Sequence, residues 1–248
     1  MGKLKGQTAI VTGGSKGIGK AISLKLADEG SNVVIFARDE NVGGKIAKEI
    51  KKRGADAIFL KTDITKFEEV ELSVKKTFNK FGSINILVNN AGYLKNTLTN
   101  EISEKEWSDV LSVNLTGTFY CIKSVIPIML KQKKGKIVNI SSLSGKRGSP
   151  YLSHYSAAKA GVIALTQSLA REFGPRGIYT NAIASGRVLT ELSKQLLKTE
   201  GERWKKEIIL GRLAEADEIA KVVLFLASDD SSYIIGETIN ANGGVYLD

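Results

Sequence analysis

The sequence predicts an open α/β fold in which a doubly wound sheet of seven parallel strands is flanked by helices on both faces. Short runs rich in Val, Ile and Leu recur with longer amphipathic segments between them, the alternation that parallel strands joined by crossover helices produce. The first run passes directly into a glycine-rich loop, TGGSKGIG, and then into a helical segment. No Pro/Gly/Ser linker, repeat or low-complexity tract interrupts the 248 residues, so one domain spanning 1–248 is expected.

Taken in order, strands are expected at Thr8 to Val11, Asn32 to Ala37, Ala57 to Lys61, Ile84 to Asn89, Lys136 to Ile140, Tyr179 to Ala184 and Thr238 to Ala241. Helices are expected at Ile18 to Asp28, Val42 to Arg53, Phe67 to Phe81, Glu104 to Lys131, Tyr155 to Phe173 and Asp217 to Leu226. Apolar runs are short and interrupted by charge, so no stretch of about 18 apolar residues is expected to cross a bilayer. The start, MGKLKGQTAIVTGG, holds no apolar signal region, which makes cytoplasm the expected compartment.

The glycine loop sits where a strand turns into a helix. Gly13, Gly17 and Gly19 let backbone approach a pyrophosphate and aim a helix N-terminus at it, and Ser15, Lys16 and Ile18 belong to the same expected dinucleotide site. The end of the second strand sorts the cofactor. Arg38 suits the 2′-phosphate of NADP, with Lys16 as a second positive charge, whereas Asp39 suits an NAD ribose; NADP is the expectation.

Tyr155 and Lys159 are four residues apart on a helix and share a face, so an ammonium beside the phenol favours its ionised form and makes it a proton donor. The plainer reading is a solvated helix face with an amphipathic aromatic. Ser142 follows the run KIVNIS and falls at a strand's carboxyl end, where such sheets bind ligands. His154, the one histidine, points away from its neighbour Tyr155 and is read as a helix-start or pocket-rim residue. With no second histidine and one cysteine, no metal site is expected, and Cys121 reads as buried packing.

The net charge of +10 raises nucleic acid as a partner, but the lysines are spread over nearly every helix. KQKKGK is the one dense patch and lacks aromatics for stacking, so a solvated surface, or one for an acidic carrier, is the better account.

The spacing Gly-x-x-x-Gly-x-Gly, with NNAG (Asn89 to Gly92), Asn114, Ser142, Tyr155 and Lys159 in this order, resembles the short-chain dehydrogenase/reductase superfamily in its single-domain, Rossmann-type form, from Lys5 to Gly244. The resemblance implies that Asp63 bonds the adenine amino group while Ile64 packs on the ring; the plain alternative makes Asp63 an N-cap. It implies that Asn90, Ala91 and Gly92 turn against the nicotinamide ribose, and that Gly186, Val188 and Thr190 reach the nicotinamide end. Tyr155 then gives a proton to a carbonyl oxygen held by Ser142. Lys159 lowers the tyrosine's pKa and binds the ribose, and Asn114 distorts its helix to hold a relay water.

Where the family carries Pro-Gly, this chain has Ser185 and Gly186, which leaves the backbone less restrained. Residues 189–210 match the family's substrate lid, with Trp204 either packing it or lining the pocket. The tail is closest to the β-ketoacyl-ACP reductases, whose basic docking positions match Lys133 and Arg176. The expected function is therefore an NADP-dependent 3-oxoacyl-ACP reductase of fatty-acid biosynthesis, working as a homotetramer. A sugar, polyol, steroid or diketone dehydrogenase, or a non-catalytic dinucleotide-binding regulator, are the alternatives.

Overall fold

The computed structural model of the protein describes residues 2–247, without the side chains of residues 192 and 194–199. Residues 1 and 248 of the expected domain, and those side chains of the expected lid, lie outside the described residues. The strands are β1 (Thr8–Thr12), β2 (Asn32–Ala37), β3 (Ala57–Lys61), β4 (Ile86–Asn89), β5 (Gly135–Ser142), β6 (Ile178–Ser185), β7 (Val188–Leu189), β8 (Ala214–Glu215) and β9 (Thr238–Ala241). All but β7 and β8 form one 7-stranded parallel sheet in the order β3-β2-β1-β4-β5-β6-β9. The order reverses between β1 and β4, which opens a crevice at their carboxyl ends.

Alternate side chains along each strand enter opposite cores, the consequence of the period of two in an extended chain. Ala9 and Val11, Val33 and Ile35, Ile86 and Val88 pack against Ile22 and Leu26 of α1 (Gly17–Asp28), Ile46 and Ile50 of α2 (Glu40–Lys52), and Val223 and Leu224 of α9 (Ala216–Ala227). Ile10, Val34, Phe36 and Leu87 pack on the other face against α3 (Phe67–Phe81), α5 (Gly117–Gln132) and α7 (Ser153–Phe173). Burial on both faces is why these strands read as continuous apolar runs.

Three expectations are corrected. The strand expected from Ile84 begins at Ile86, because the side chain of Asn85 accepts hydrogen bonds from Thr8 N (2.9 Å) and Ser83 Oγ (3.0 Å) and ends the turn there. The helix expected from Glu104 to Lys131 is α4 (Glu104–Leu111), a π-helical turn over Ser112–Thr116, and α5. That continuous span, Glu104–Gln132, is long and apolar enough by length and composition to cross a membrane, contrary to the expectation of none. Its Ile122, Val125 and Met129 are spent on the core beside the sheet, and Cys121 is buried among them with its thiol pushed up to about 12 by burial. Two further helices, α6 (Leu143–Arg147) and α8 (Glu191–Glu207), frame the crevice.

Candidate active site

Ser142 is the last residue of β5 and the N-cap of α6, its Oγ accepting from Ser144 N at 3.1 Å. Helix α6 lies directly on α7: a Cβ on Gly145 would come within 2.7 Å of the Lys159 carbonyl carbon. That seat fixes Ser142 beside the turn carrying Tyr155 and Lys159. The Lys159 ammonium is buried, donates to Ile140 O at 2.8 Å and lies 5.6 Å from the centre of the Tyr155 ring.

Burial pushes Lys159 down to about 8. It also raises the Tyr155 phenol above its ordinary value, with hydrogen bonding from the Ser142 hydroxyl pulling the other way. The expected depression of the tyrosine by Lys159 is therefore corrected. The ammonium is itself desolvated and already bonded to a backbone carbonyl, and desolvation outweighs its field at the phenol. Ser142, expected only to hold the carbonyl oxygen, is the group that lowers the phenol's pKa.

Asn114 sits fully buried in the π-helical turn, as its mid-helix position foreshadowed. Its Nδ2 donates to Tyr93 O (2.7 Å) and Val110 O (2.9 Å), and its Oδ1 accepts from Tyr93 N at 3.3 Å. Gly92 approaches closely: a Cβ there would stand 3.1 Å from Asn114 Oδ1 and 3.9 Å from Lys159 Nζ.

Thr12, which the sequence reading overlooked, ties the glycine loop to the NNAG turn. Its Oγ1 accepts from Asn90 N and Ala91 N, both at 3.0 Å, while Asn90 Nδ2 donates back to Thr12 O at 3.0 Å and Gly13 O at 3.3 Å. The side chain of Asn90 is thus spent on the loop itself. The sequence signal for Thr12 was a β-branched hydroxyl at the first position of the glycine loop.

The loop fits a dinucleotide. Gly13 and Gly17 take φ of 63° and 51°, in the left-handed region, and a Cβ on Gly19 would fall 2.1 Å from Gly13 O. Ser15 is buried in the loop, and the methyl of Thr190 stands 3.4 Å from where a Gly17 Cβ would be, so the start of α8 faces the loop.

Beyond β2, Arg38 is exposed, while Asp39 is committed. One oxygen of Asp39 caps α2 through Val42 N (3.1 Å) and the other takes the Lys16 ammonium (3.1 Å). After β3, Asp63 accepts from Thr65 N (3.0 Å) and Thr65 Oγ1 (2.8 Å). Burial pushes the Asp63 carboxyl up, but those bonds and the Arg38 charge hold it below its ordinary value. Asp63 does not cap α3, whose N-cap is Lys66. Ile64 is buried against the close backbone of Gly117.

Ser142 and Tyr155 open onto a cavity of about 750 Å³, bordered by Ile18, Gly186, Val188 and Thr190 and by the inner side of α8. Of the expected site residues, Ser142, Tyr155, Ile18, Gly186, Val188 and Thr190 line this one crevice, whereas Asn114 and Lys159 are buried.

A family model described as enoyl-(acyl carrier protein) reductase, of the short-chain alcohol dehydrogenase type, matches residues 13–246. The chain is 41% identical over 242 residues to the 3-oxoacyl-[acyl-carrier-protein] reductase FabG of Staphylococcus epidermidis, covering 97% of this chain and 99% of that one. The chain belongs to the short-chain dehydrogenase/reductase family. A 3-oxoacyl-[acyl-carrier-protein] reductase of Synechocystis is 40% identical over 249 residues, with both chains fully covered. The crystal structure of a putative short-chain alcohol dehydrogenase from Sinorhizobium meliloti superposes with a TM-score of 0.94 at 33% identity, covering 98% of this chain and 97% of that one. As a short-chain dehydrogenase/reductase the protein is an oxidoreductase acting on CH–OH groups with a nicotinamide dinucleotide.

Other features of this family member depart from expectation. His154 is at the start of α7, one of its two expected places, but is buried and not at a rim: its Nε2 meets Glu106 Oε1 at 3.2 Å, and its Nδ1 has no partner among the described residues. Trp204 does both things expected of it, packing with Ile208, Leu213 and Val245 and bordering the cavity. The guanidinium of Arg187 stacks on its ring at 4.3 Å and bonds Glu207 at 3.1 Å. Ser185, in place of the usual proline, is restrained by donating to Ser141 O at 3.3 Å.

Lys133 and Arg176 are brought together, since a Cβ on the intervening Gly177 would meet Lys133 O at 2.4 Å. They precede β5 and β6, at the end of the sheet opposite Ser142. Among the described residues no group of His, Cys, Asp and Glu side chains is placed to hold a metal.

Proposed function

We propose that the protein is an NADP-dependent 3-oxoacyl-[acyl-carrier-protein] reductase, formed as one catalytic domain whose lid is the segment 189–210. The observation that carries this reading is that Ser142 and Tyr155 border one cavity, with the buried Lys159 ammonium 5.6 Å from the Tyr155 ring centre, in a chain similar over its whole length to curated enzymes of that name. When bound, the nicotinamide supplies or accepts the hydride.

The chain's own residues do the rest. Ser142 Oγ holds the substrate oxygen by hydrogen bond and Tyr155 Oη passes it a proton. Lys159, its ammonium 5.6 Å from the ring centre, turns its remaining donors to the ribose. Asn114 anchors the relay beside Lys159, because its side chain holds the Tyr93 backbone next to Gly92, where a Cβ would stand 3.9 Å from the ammonium. Gly13 to Gly19, Asp63, Ile64, Asn90 to Gly92, Gly186, Val188 and Thr190 form the cofactor's cradle.

NADP is favoured because Asp39 is occupied by Val42 N and Lys16, leaving Arg38 to meet a 2′-phosphate. A homotetramer fits the apolar Trp107 and Phe119, 43% and 44% exposed on α4 and α5. Cytoplasm, as for enzymes of fatty-acid synthesis, is the compartment of this reading. Lys133 and Arg176 remain candidate carrier contacts, reaching from the far end of the sheet.

The test is loss of NADPH absorbance with an acetoacetyl thioester, beside ketones, sugars and diketones, with Tyr155→Phe as control. Thioester turnover absent in Tyr155→Phe supports the reading; turnover only of another carbonyl retires the substrate and keeps the chemistry.

A further inference from the structure

The charged side chains around the cavity are unevenly matched. Arg147, Arg187 and Arg203 border it with Glu200 and Glu207. Arg187 is held by Glu207 (3.1 Å) and by the Trp204 ring, and Arg203 by Glu200 (2.8 Å) and Glu207 (3.6 Å). Arg147 is exposed and has no carboxylate partner among the described residues. Among the described residues, the cavity therefore keeps one guanidinium in excess.

That guanidinium is not on a loose loop. Arg147 is the last residue of α6, the helix that Ser142 caps and that Gly145 seats on the backbone of Lys159, and Gly148 ends it in the left-handed region at φ 74°. A five-residue helix places Arg147 about 7.5 Å along the axis from the catalytic serine. Its side chain is thus borne by the same rigid unit as the groups that would hold the reacting carbonyl, with both ends on the cavity wall. A planar fork of donors in that position matches a carboxylate or phosphate by two parallel hydrogen bonds, and a water-exposed lysine or a neutral side chain does not.

We propose that Arg147 is an anion subsite of the substrate cavity, taking a carboxylate or phosphate of a molecule whose carbonyl lies at Ser142 and Tyr155. This rests on the carbonyl-reductase reading above and adds to it that the substrate is itself an anion. The two sources of that anion are the phosphate of a pantetheine arm and the carboxylate of a free oxo acid.

Two matched pairs separate them: acetoacetyl-4′-phosphopantetheine against acetoacetyl-pantetheine, and acetoacetate against its methyl ester. Each is titrated calorimetrically into Tyr155→Phe protein loaded with NADPH, with Arg147 intact and as Arg147→Gln or Arg147→Lys, and each is assayed for turnover in the Tyr155 protein. The charged member of one pair is expected to bind at least about tenfold more tightly than its neutral match, a ratio that falls below about twofold in Arg147→Gln and is partly kept in Arg147→Lys. The pair that shows it names the source. A ratio near one with Arg147 intact, or one unchanged in Arg147→Gln, overturns the subsite. Turnover of none of the four with the binding ratio intact retires the 3-oxoacyl reading and leaves the subsite standing.

Discussion

His154 Nε2 and Glu106 Oε1 meet at 3.2 Å and join α4 to the first turn of the helix that carries Tyr155. Glu106 also accepts from the Lys95 ammonium and the Thr97 hydroxyl, and Thr97 N donates to Tyr151 O at 2.9 Å. The Lys95 bond, then those of Thr97 and His154, hold the Glu106 carboxyl down at about 2, so it stays an anion throughout the working range. The loop that starts at Tyr93, bonded to Asn114, is in this way pinned at its other end to α7.

Replacing His154 by Leu removes the cross-link while keeping the volume roughly filled. The urea midpoint should fall by an amount equal to about 1 kcal/mol, and kcat by about tenfold, with the Kd for NADPH within twofold of native. A native midpoint and kcat would show that the pair holds nothing.

Neighbouring glycines in α2 should respond with opposite sign. A Cβ on Gly43 would lie 2.1 Å from the Phe59 ring, whereas one on Gly44 meets nothing within 4 Å. Gly43→Ala should cost about 1–3 kcal/mol through overpacking. Gly44→Ala should gain about 0.5–1 kcal/mol from helix propensity. Thermal or urea unfolding of the two single variants decides it, and equal shifts would contradict the packing described.

Cofactor choice should rest on Arg38 alone. Arg38→Ala is expected to weaken NADPH about tenfold and leave NADH within twofold, read by fluorescence titration. Asp39→Asn should alter NADH affinity little, since its carboxylate is engaged with the α2 N-terminus and Lys16. A large loss of NADH binding in Asp39→Asn would return the ribose to Asp39.

Lys159 should leave a signature in the pH dependence of stability. Its pKa is depressed from 10.5 to about 8 in the folded, cofactor-free protein. Below pH 8 the lysine is charged in both states and the fold carries the whole cost of burying it. Between about 8 and 10.5 the native state releases the proton first, so stability rises with pH by up to about 3 kcal/mol. The difference in unfolding free energy between native protein and Lys159→Met should therefore climb across that window, and a flat difference would refute the depressed value.

Strands and main helices were legible because a sheet buried on both faces writes itself as apolar runs, and because the helices of its faces carry a clean 3.6 period. Residue type and order pointed to Ser142, Tyr155 and Lys159, which the fold brings close together. The π-helical turn was not, since SVNLTG continues an amphipathic helix and only Asn114, a poor helix former, breaks the pattern. Thr12 was missed because it opens the glycine loop, where a hydroxyl carries no pattern that says which backbone it binds. The direction of the Tyr155 shift was misjudged because spacing reports which groups are neighbours, while desolvation depends on the whole shell around them.

The hydroxyl of Thr12 divides the cofactor site into what can be retuned and what cannot. It knots the glycine loop to the NNAG turn, so a change at Gly13, Gly19 or Asn90 is transmitted to the residues flanking Asn114 and Lys159. Arg38 and Lys16 stand outside the knot, at the exposed edge of the crevice. In the proposed reading, one dinucleotide can therefore be exchanged for the other at that edge without disturbing the groups proposed to handle the proton, which makes coenzyme preference a modular trait of this scaffold.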